Sequence, residues 1–215
     1  MKNYIREPIN GFTHLAGAIF AFIALLAMVI RTTADNGSSI AVFSVIVFGI
    51  SMILLYSASA TYHMVIAKER VITFLRRLDH SMIFVLIAGT YAPFCLISLQ
   101  GFQGWFLFSI ISFLAIAGVV FKMVWFHCPR WISTAIYLAM GWMVIFFISP
   151  LSKTLESGGM VLLILGGIFY TIGGIIYGFK PKFLEFNYFG YHEIFHIFIL
   201  FGSFCHFLSV FLYVI

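Results

Sequence analysis

Residues 191–198 read YHEIFHIF, and within them His192, Glu193 and His196 spell H-E-x-x-H. On a helix, histidines at i and i+4 project from one face and can bind a single Zn²⁺, with the glutamate placed to activate water. A catalytic zinc takes three protein ligands and keeps a fourth position for water, whose pKa it lowers from 15.7 to about 7. A third ligand must therefore come from elsewhere in the chain. The only histidine or charged residue downstream is His206, ten residues beyond His196. That is about 15 Å further along a helix, too far to share the metal. Upstream, His63 is the natural third ligand. Ser59 lies four residues before it in SATYH and shares its face. Asp79 is placed to orient a water on the metal or accept its proton. His14, His80 and Glu193 are candidates for supporting or proton-transfer roles.

These residues must be held by elements of an unusually apolar chain. Of 215 residues, 63% are hydrophobic and 9% charged, against about 25% charged in a soluble domain. Mean hydropathy is +1.10. This composition predicts an all-α membrane protein, a seven-transmembrane helix bundle formed by one domain over residues 1–215. Seven segments near the ~20 residues needed to cross a bilayer can be read at 12–30, 40–62, 79–99, 104–126, 131–149, 158–179 and 189–214. The first is too long for the apolar region of a signal peptide and has no clear cleavage site, so it reads as a helix of the mature protein. The joint at 100–103 is short and makes the third and fourth helices antiparallel neighbours. The one substantial loop runs from 64 to 78.

Ten of the twelve Lys and Arg residues fall on one side of this topology: Lys2, Arg6, Lys68, Arg70, Arg76, Arg77, Lys122, Arg130, Lys180 and Lys182. Arg31 and Lys153 fall on the other. The asymmetry predicts a cytoplasmic N-terminus and an outside C-terminus. It also explains the net charge of +5 without nucleic acid. With that topology, His14, His63, Asp79, His80, His192, Glu193 and His196 all lie at the cytoplasmic side, on four of the seven helices. Ionisable groups at membrane depth are candidate functional residues because desolvating them is costly.

Each group alone has a plainer reading. Interfacial histidines reach for headgroups, Ser59 can bond a helix carbonyl, and Asp79 can cap the third helix beside the arginines before it. None of those readings predicts a shared depth. Other residues read as packing. Gly166, Gly167, Gly173 and Gly174 repeat a small pair seven residues apart, which lets helices approach. Pro93 predicts a kink whose lost backbone bond Thr90 or a neighbouring helix would compensate. Cys95, Cys128 and Cys205 fit neither a disulfide framework nor a CxxC metal site, and His206 and His127 read as packed and solvated, respectively.

S-x-x-x-H in the second helix, an aspartate opening the third and H-x-x-x-H opening the seventh resemble the signature of the hemolysin III / progestin and adipoQ receptor family, which is related to the alkaline ceramidases. EPINGFTH, SASATYH, LDHSMIFVLIAGTYAP and GYHEIFHIFILFGSFCHF look like the blocks of its bacterial hemolysin III branch, in order and over nearly the whole chain. The resemblance implies that His63, His192 and His196 bind zinc, that Asp79 holds the zinc-bound water, and that Ser59 sits near a substrate carbonyl. It also implies an N-in, C-out seven-helix bundle in the cell membrane. The receptor branch carries glutamine where this chain has Glu193, so Asp79 is the better candidate for activating water.

The expected function is a zinc-dependent hydrolase of a lipid amide or ester. Its partners are membrane lipids and a lipid substrate or acyl chain within the bundle, with a role in membrane lipid homeostasis. Two alternatives belong to other classes. A pore-forming cytolysin would need a polar path along the bundle, yet the outer halves of these helices are nearly free of charge. A lipid sensor would hold zinc only as structure.

Overall fold

A computed structural model describes residues 4–125, 127–186 and 189–215. Lys2, counted above for orientation, and Phe126, the expected end of the fourth segment, lie outside the described residues. The described residues contain seven helices long and apolar enough to cross a membrane: α1 (Pro8–Ala34), α2 (Ser39–Met64), α3 (Glu69–Leu99), α4 (Gly101–Val124), α5 (Arg130–Leu151), α6 (Ser157–Phe179) and α7 (Tyr191–Tyr213). They contain no strand. The expected fold class, a seven-helix membrane bundle, is the observed one.

Two helices are not regular throughout. In α3 the α-helical part ends at Pro93, whose ring nitrogen carries no proton. The turn that follows, Phe94–Leu99, widens to π-helical geometry. Gln100 N–H then donates to the Cys95 carbonyl at 3.0 Å. The Thr90 hydroxyl donates to Leu86 O at 2.8 Å, within its own turn, so it does not replace the bond lost at Pro93. Gln100 and Gly101 both have positive φ, 52° and 50°, and reverse the chain directly into α4. In α5 an α-helical start at Arg130–Gly141 tightens to 3₁₀ geometry over Trp142–Phe147 before the final turn, Ile148–Leu151.

The start of α3 differs from the sequence expectation. The helix begins at Glu69, so the loop from α2 is only residues 65–68. Hydropathy marks where a helix enters the bilayer, not where it begins. The polar stretch ERVITFLRRL is helical as well, and Glu69 lies in the first turn, where a carboxylate suits the helix dipole. Asp79 therefore sits about 15 Å into α3 and does not cap it.

Packing contacts run α1 to α2, α2 to α3, α3 to α5, α5 to α6, α6 to α7 and α7 back to α1. Six helices thus close a ring, and α4 packs on the outside of α3. The four glycines of α6 face two ways. A methyl group at Gly166 would strike the His206 ring of α7, and one at Gly173 would meet Phe198. Gly174 approaches Thr134 and Leu138 of α5, and Gly167 lies near Trp142. The close α6–α7 approach rests on the first pair. The three cysteines are buried and free. Outward-facing Phe22, Ile23, Ile30, Phe113 and Ile116 remain exposed, as lipid-facing side chains must.

Candidate metal centre

The site is assembled where the start of α1, the end of α2 and the start of α7 meet. The end of α2 is held by the residues before α1. Glu7 N–H donates to His63 O at 2.9 Å, and Arg6 N–H to Met64 O at 3.5 Å. The Arg6 guanidinium donates to Tyr62 O at 2.6 Å and lies over the Tyr62 ring. These contacts satisfy carbonyls left free at a helix C-terminus, where a cation is also favourable. They bring the Glu7 carboxylate to His63, with Oε2 at 2.5 Å from Nδ1. The hydrogen bond to His63 holds the Glu7 carboxyl below the ordinary carboxylate range, against its partial burial. A carboxylate on Nδ1 fixes the ring so that Nε2 presents its lone pair.

His63 Nε2 lies 3.4 Å from His192 Nε2. His196 is one turn further along α7, with ring centroids 4.6 Å from His192 and 4.9 Å from His63. One nitrogen from each of the three rings falls within 4.8 Å of the others, a group able to hold a metal ion. Nitrogens bound at 2.0–2.1 Å to a tetrahedral ion stand about 3.3–3.4 Å apart. The His63–His192 pair already has that spacing, and closing the group takes a shift of about 1.4 Å at most. The donor set fits: three imidazoles, two of them almost fully buried, and one braced by a carboxylate.

The remaining expected residues surround this group unequally. His14 of α1 stacks on His196, with centroids 3.7 Å apart and planes 12° from parallel, and meets Tyr56 edge-on. Both its ring nitrogens are buried without a hydrogen-bond partner among the described residues, as is Ser59 Oγ. Ser59, Asp79, His80, His14, His192 and His196 all border one cavity of about 240 Å³. Asp79 is outside the three-histidine group, with Oδ2 4.0 Å from His80 Nδ1. His80 is fixed by the Arg76 carbonyl at 2.6 Å and the Tyr177 hydroxyl at 2.8 Å. Glu193 has both oxygens occupied: Oε2 accepts from Gly190 N–H at 2.8 Å, and Oε1 from Asn10 Nδ2 at 2.7 Å. It caps α7 and ties it to α1.

Comparison with known proteins shows the family of the chain. Residues 2–207 match the family described as haemolysin-III related. The chain belongs to that family. It is 42% identical over 218 residues to Hemolysin-3 of Bacillus cereus, covering 100% of this chain and 95% of that one. It is 41% identical to the Hemolysin-3 homolog of Bacillus subtilis strain 168, covering 97% and 95%. A plant protein, Heptahelical transmembrane protein 1 of Arabidopsis thaliana, is 24% identical over 98% of this chain and 70% of its own length. With its seven spans, this haemolysin-III-related chain is a multi-pass protein of the bacterial cell membrane.

Three residues around the site carry contacts that the sequence does not show. Glu7 and Asn10 stand in the EPINGFTH block, but their partners His63 and Glu193 lie 56 and 183 residues away. Tyr177 links to His80 across 97 residues. The available signal was a lone glutamate at the very start of the first apolar segment, on the side where the histidines gather. His206 is buried and pairs with Leu163 O at 3.2 Å, at the far end of the cavity. His127 lies in an exposed turn.

Proposed function

We infer that this chain is a zinc-dependent hydrolase that cleaves an amide or ester bond of a membrane lipid. The observation that carries the reading is the convergence of three imidazoles, two of which, His192 and His196, border an apolar slot. The slot is lined by residues from all six ring helices and from none of α4. On α7 its lining runs from His192 to His206, about 21 Å along the helix. A volume of about 240 Å³ spread over that length suits one extended acyl chain. The site lies at the end of the bundle that carries most of the Lys and Arg residues, which we place in the cytoplasm.

His63, His192 and His196 would hold the zinc. Bound there, the ion supplies Lewis acidity and brings the pKa of water toward neutrality. Glu7 keeps the His63 ring in the tautomer that leaves Nε2 free. Asp79, on the cavity wall with no hydrogen bond from another described residue, accepts the proton from the attacking water. Ser59 Oγ, buried and unpartnered, donates to the carbonyl oxygen of the scissile group. The apolar walls align the chain and keep bulk water out. His14 lies flat against His196 and restricts its ring to one orientation.

The test joins metal content to lipid turnover. Purified protein should carry about one zinc per chain, the count that a three-histidine site accepts. Reconstituted with ceramide or phospholipid, it should release fatty acid. His192→Ala should lose both metal and release. Asp79→Asn should keep the metal and lose release. Equal metal in wild type and His192→Ala would overturn the site. A zinc-loaded wild type that releases nothing from either lipid class would overturn the hydrolase and leave a structural metal.

A further inference from the structure

A second concavity, about 40 Å³, lies among the ends of α3, α4, α5 and α6. Arg76, His80, Lys122, Cys128, Arg130, Ser133 and Tyr177 line it, and among the described residues no carboxylate does. Lys122 decides its character. The residue is 5% exposed, and its ammonium donates to the Ser133 hydroxyl, a neutral partner. Among the described residues no carboxylate forms an ion pair with Lys122 or Arg130. Among the described residues the Arg130 guanidinium reaches the Tyr191 hydroxyl, at 3.4 Å, and the face of Tyr177. Asp79 borders the large cavity, with its carboxylate 4.0 Å from the His80 ring.

An ammonium has three protons to donate, and Ser133 accepts one. A buried charge without a counter-charge is costly, so a site that gathers cations around a buried lysine is completed by an anion. The volume sets its size. One water needs about 10–15 Å³ on this measure, so about 40 Å³ admits a group of several oxygen atoms. The position sets the setting. Trp125 and Trp131 flank the pocket in sequence and are 51% and 66% exposed, and tryptophans of this kind mark headgroup depth in a bilayer. Basic pockets between helices at that depth receive lipid phosphates.

We propose that the pocket formed by Arg76, Lys122 and Arg130 binds a phosphate group, beside the acyl slot. Arginine forks and a lysine ammonium match phosphate oxygens, while Ser133 orients the ammonium. His80 and Tyr177 wall both the pocket and the slot, so a phosphate here sits next to the candidate reaction site. The pocket uses none of the three histidines and stands whether or not they hold a metal.

The full chain, purified in detergent, is examined by native mass spectrometry with phosphatidylglycerol or phosphatidylcholine, and by thermal shift with inorganic phosphate. Wild type should retain phosphatidylglycerol over the zwitterionic lipid, whose choline brings a cation toward a cationic pocket. Lys122→Met and Arg130→Gln should each weaken retention about tenfold or more, the loss expected for one charge-assisted hydrogen bond. His192→Ala should retain it as wild type does. If inorganic phosphate stabilises wild type, and the same variants abolish the effect while neither lipid is retained, the phosphate source is soluble and the pocket stands. If Lys122→Met does not fold, Arg130→Gln carries the test. A folded Arg130→Gln that retains phosphatidylglycerol and responds to phosphate as wild type does would overturn the proposal.

Discussion

Removing the Glu7 carboxylate should weaken metal binding without unfolding the bundle. Glu7 makes two distinct contacts with α2. Its backbone N–H caps His63 O, and its carboxylate holds His63 Nδ1. Glu7→Ala removes only the second. Loss of such an outer partner costs about 10–100-fold in metal affinity, or about 1.4–2.8 kcal/mol. The Glu7 side chain is 41% exposed, which places the effect near the lower end, about tenfold. Glu7→Gln should cost less, because the amide oxygen still accepts the Nδ1 proton and only the charge is gone. Stability without metal should change by no more than about 0.5 kcal/mol, as for other half-exposed positions whose backbone contacts remain. The sign with pH follows from the lowered Glu7 pKa. The charged carboxylate contributes above its ordinary range, and that contribution is lost as pH falls through the depressed folded value. The gap between wild type and Glu7→Gln should therefore be steady at neutral pH and close in acid. Zinc affinity is read by competition with a chelating dye, and stability by thermal unfolding in detergent. Wild-type affinity in Glu7→Ala would refute the orienting role. So would a loss as large as that of His63→Ala, since Glu7 would then act as a ligand itself.

Three further substitutions separate roles that the sequence alone confounds. Gly166→Ala and Gly167→Ala gain the same helix propensity, but a methyl at Gly166 strikes the His206 ring while one at Gly167 finds nothing nearer than 3.7 Å. Gly166→Ala should melt lower than Gly167→Ala by the equivalent of about 1–3 kcal/mol, and equal melting would refute the close α6–α7 contact. Glu193→Gln should keep full metal content and whatever lipid release wild type shows, to within about twofold, because its remaining oxygen can still serve the Gly190 cap. Asn10 can turn its unpartnered Oδ1 toward the new amide. A Glu193→Gln protein as inactive as Asp79→Asn would restore the glutamate as the base.

Much of this architecture is legible in the sequence for simple physical reasons. A lipid-facing helix must be apolar along most of its length, so hydropathy marks all seven spans. The positions of His63 and His196 follow from helical spacing and shared depth. What hydropathy does not mark is helix outside the bilayer, and so the first ten residues of α3 read as loop. Nor can spacing within one helix show a contact made when helices close. The Glu7–His63 and Asn10–Glu193 bonds exist only because the start of α1 docks between the end of α2 and the start of α7. Glu193 was misleading for the same reason. Its H-E-x-x-H neighbours suggest a base, but three residues into a helix a glutamate finds the free N–H groups of its own first turn closer than any metal.

The ring topology also explains why the candidate ligands come from opposite ends of the chain. α1 packs on both α2 and α7, which makes it the piece that closes the ring. His63 stands at the end of α2, His192 and His196 at the start of α7, and His14 of α1 stacks on His196. An ion held by the three imidazoles would bridge α2 and α7 across the first turn of α1. It would bind only the closed ring, and a ligand that binds only the closed state stabilises that state by mass action. Asp79 stands on α3, where it borders the cavity without sharing the ligand group. On the proposed reading, holding an ion and handling a proton fall to different helices. The slot between them is where a scissile carbonyl would have to enter.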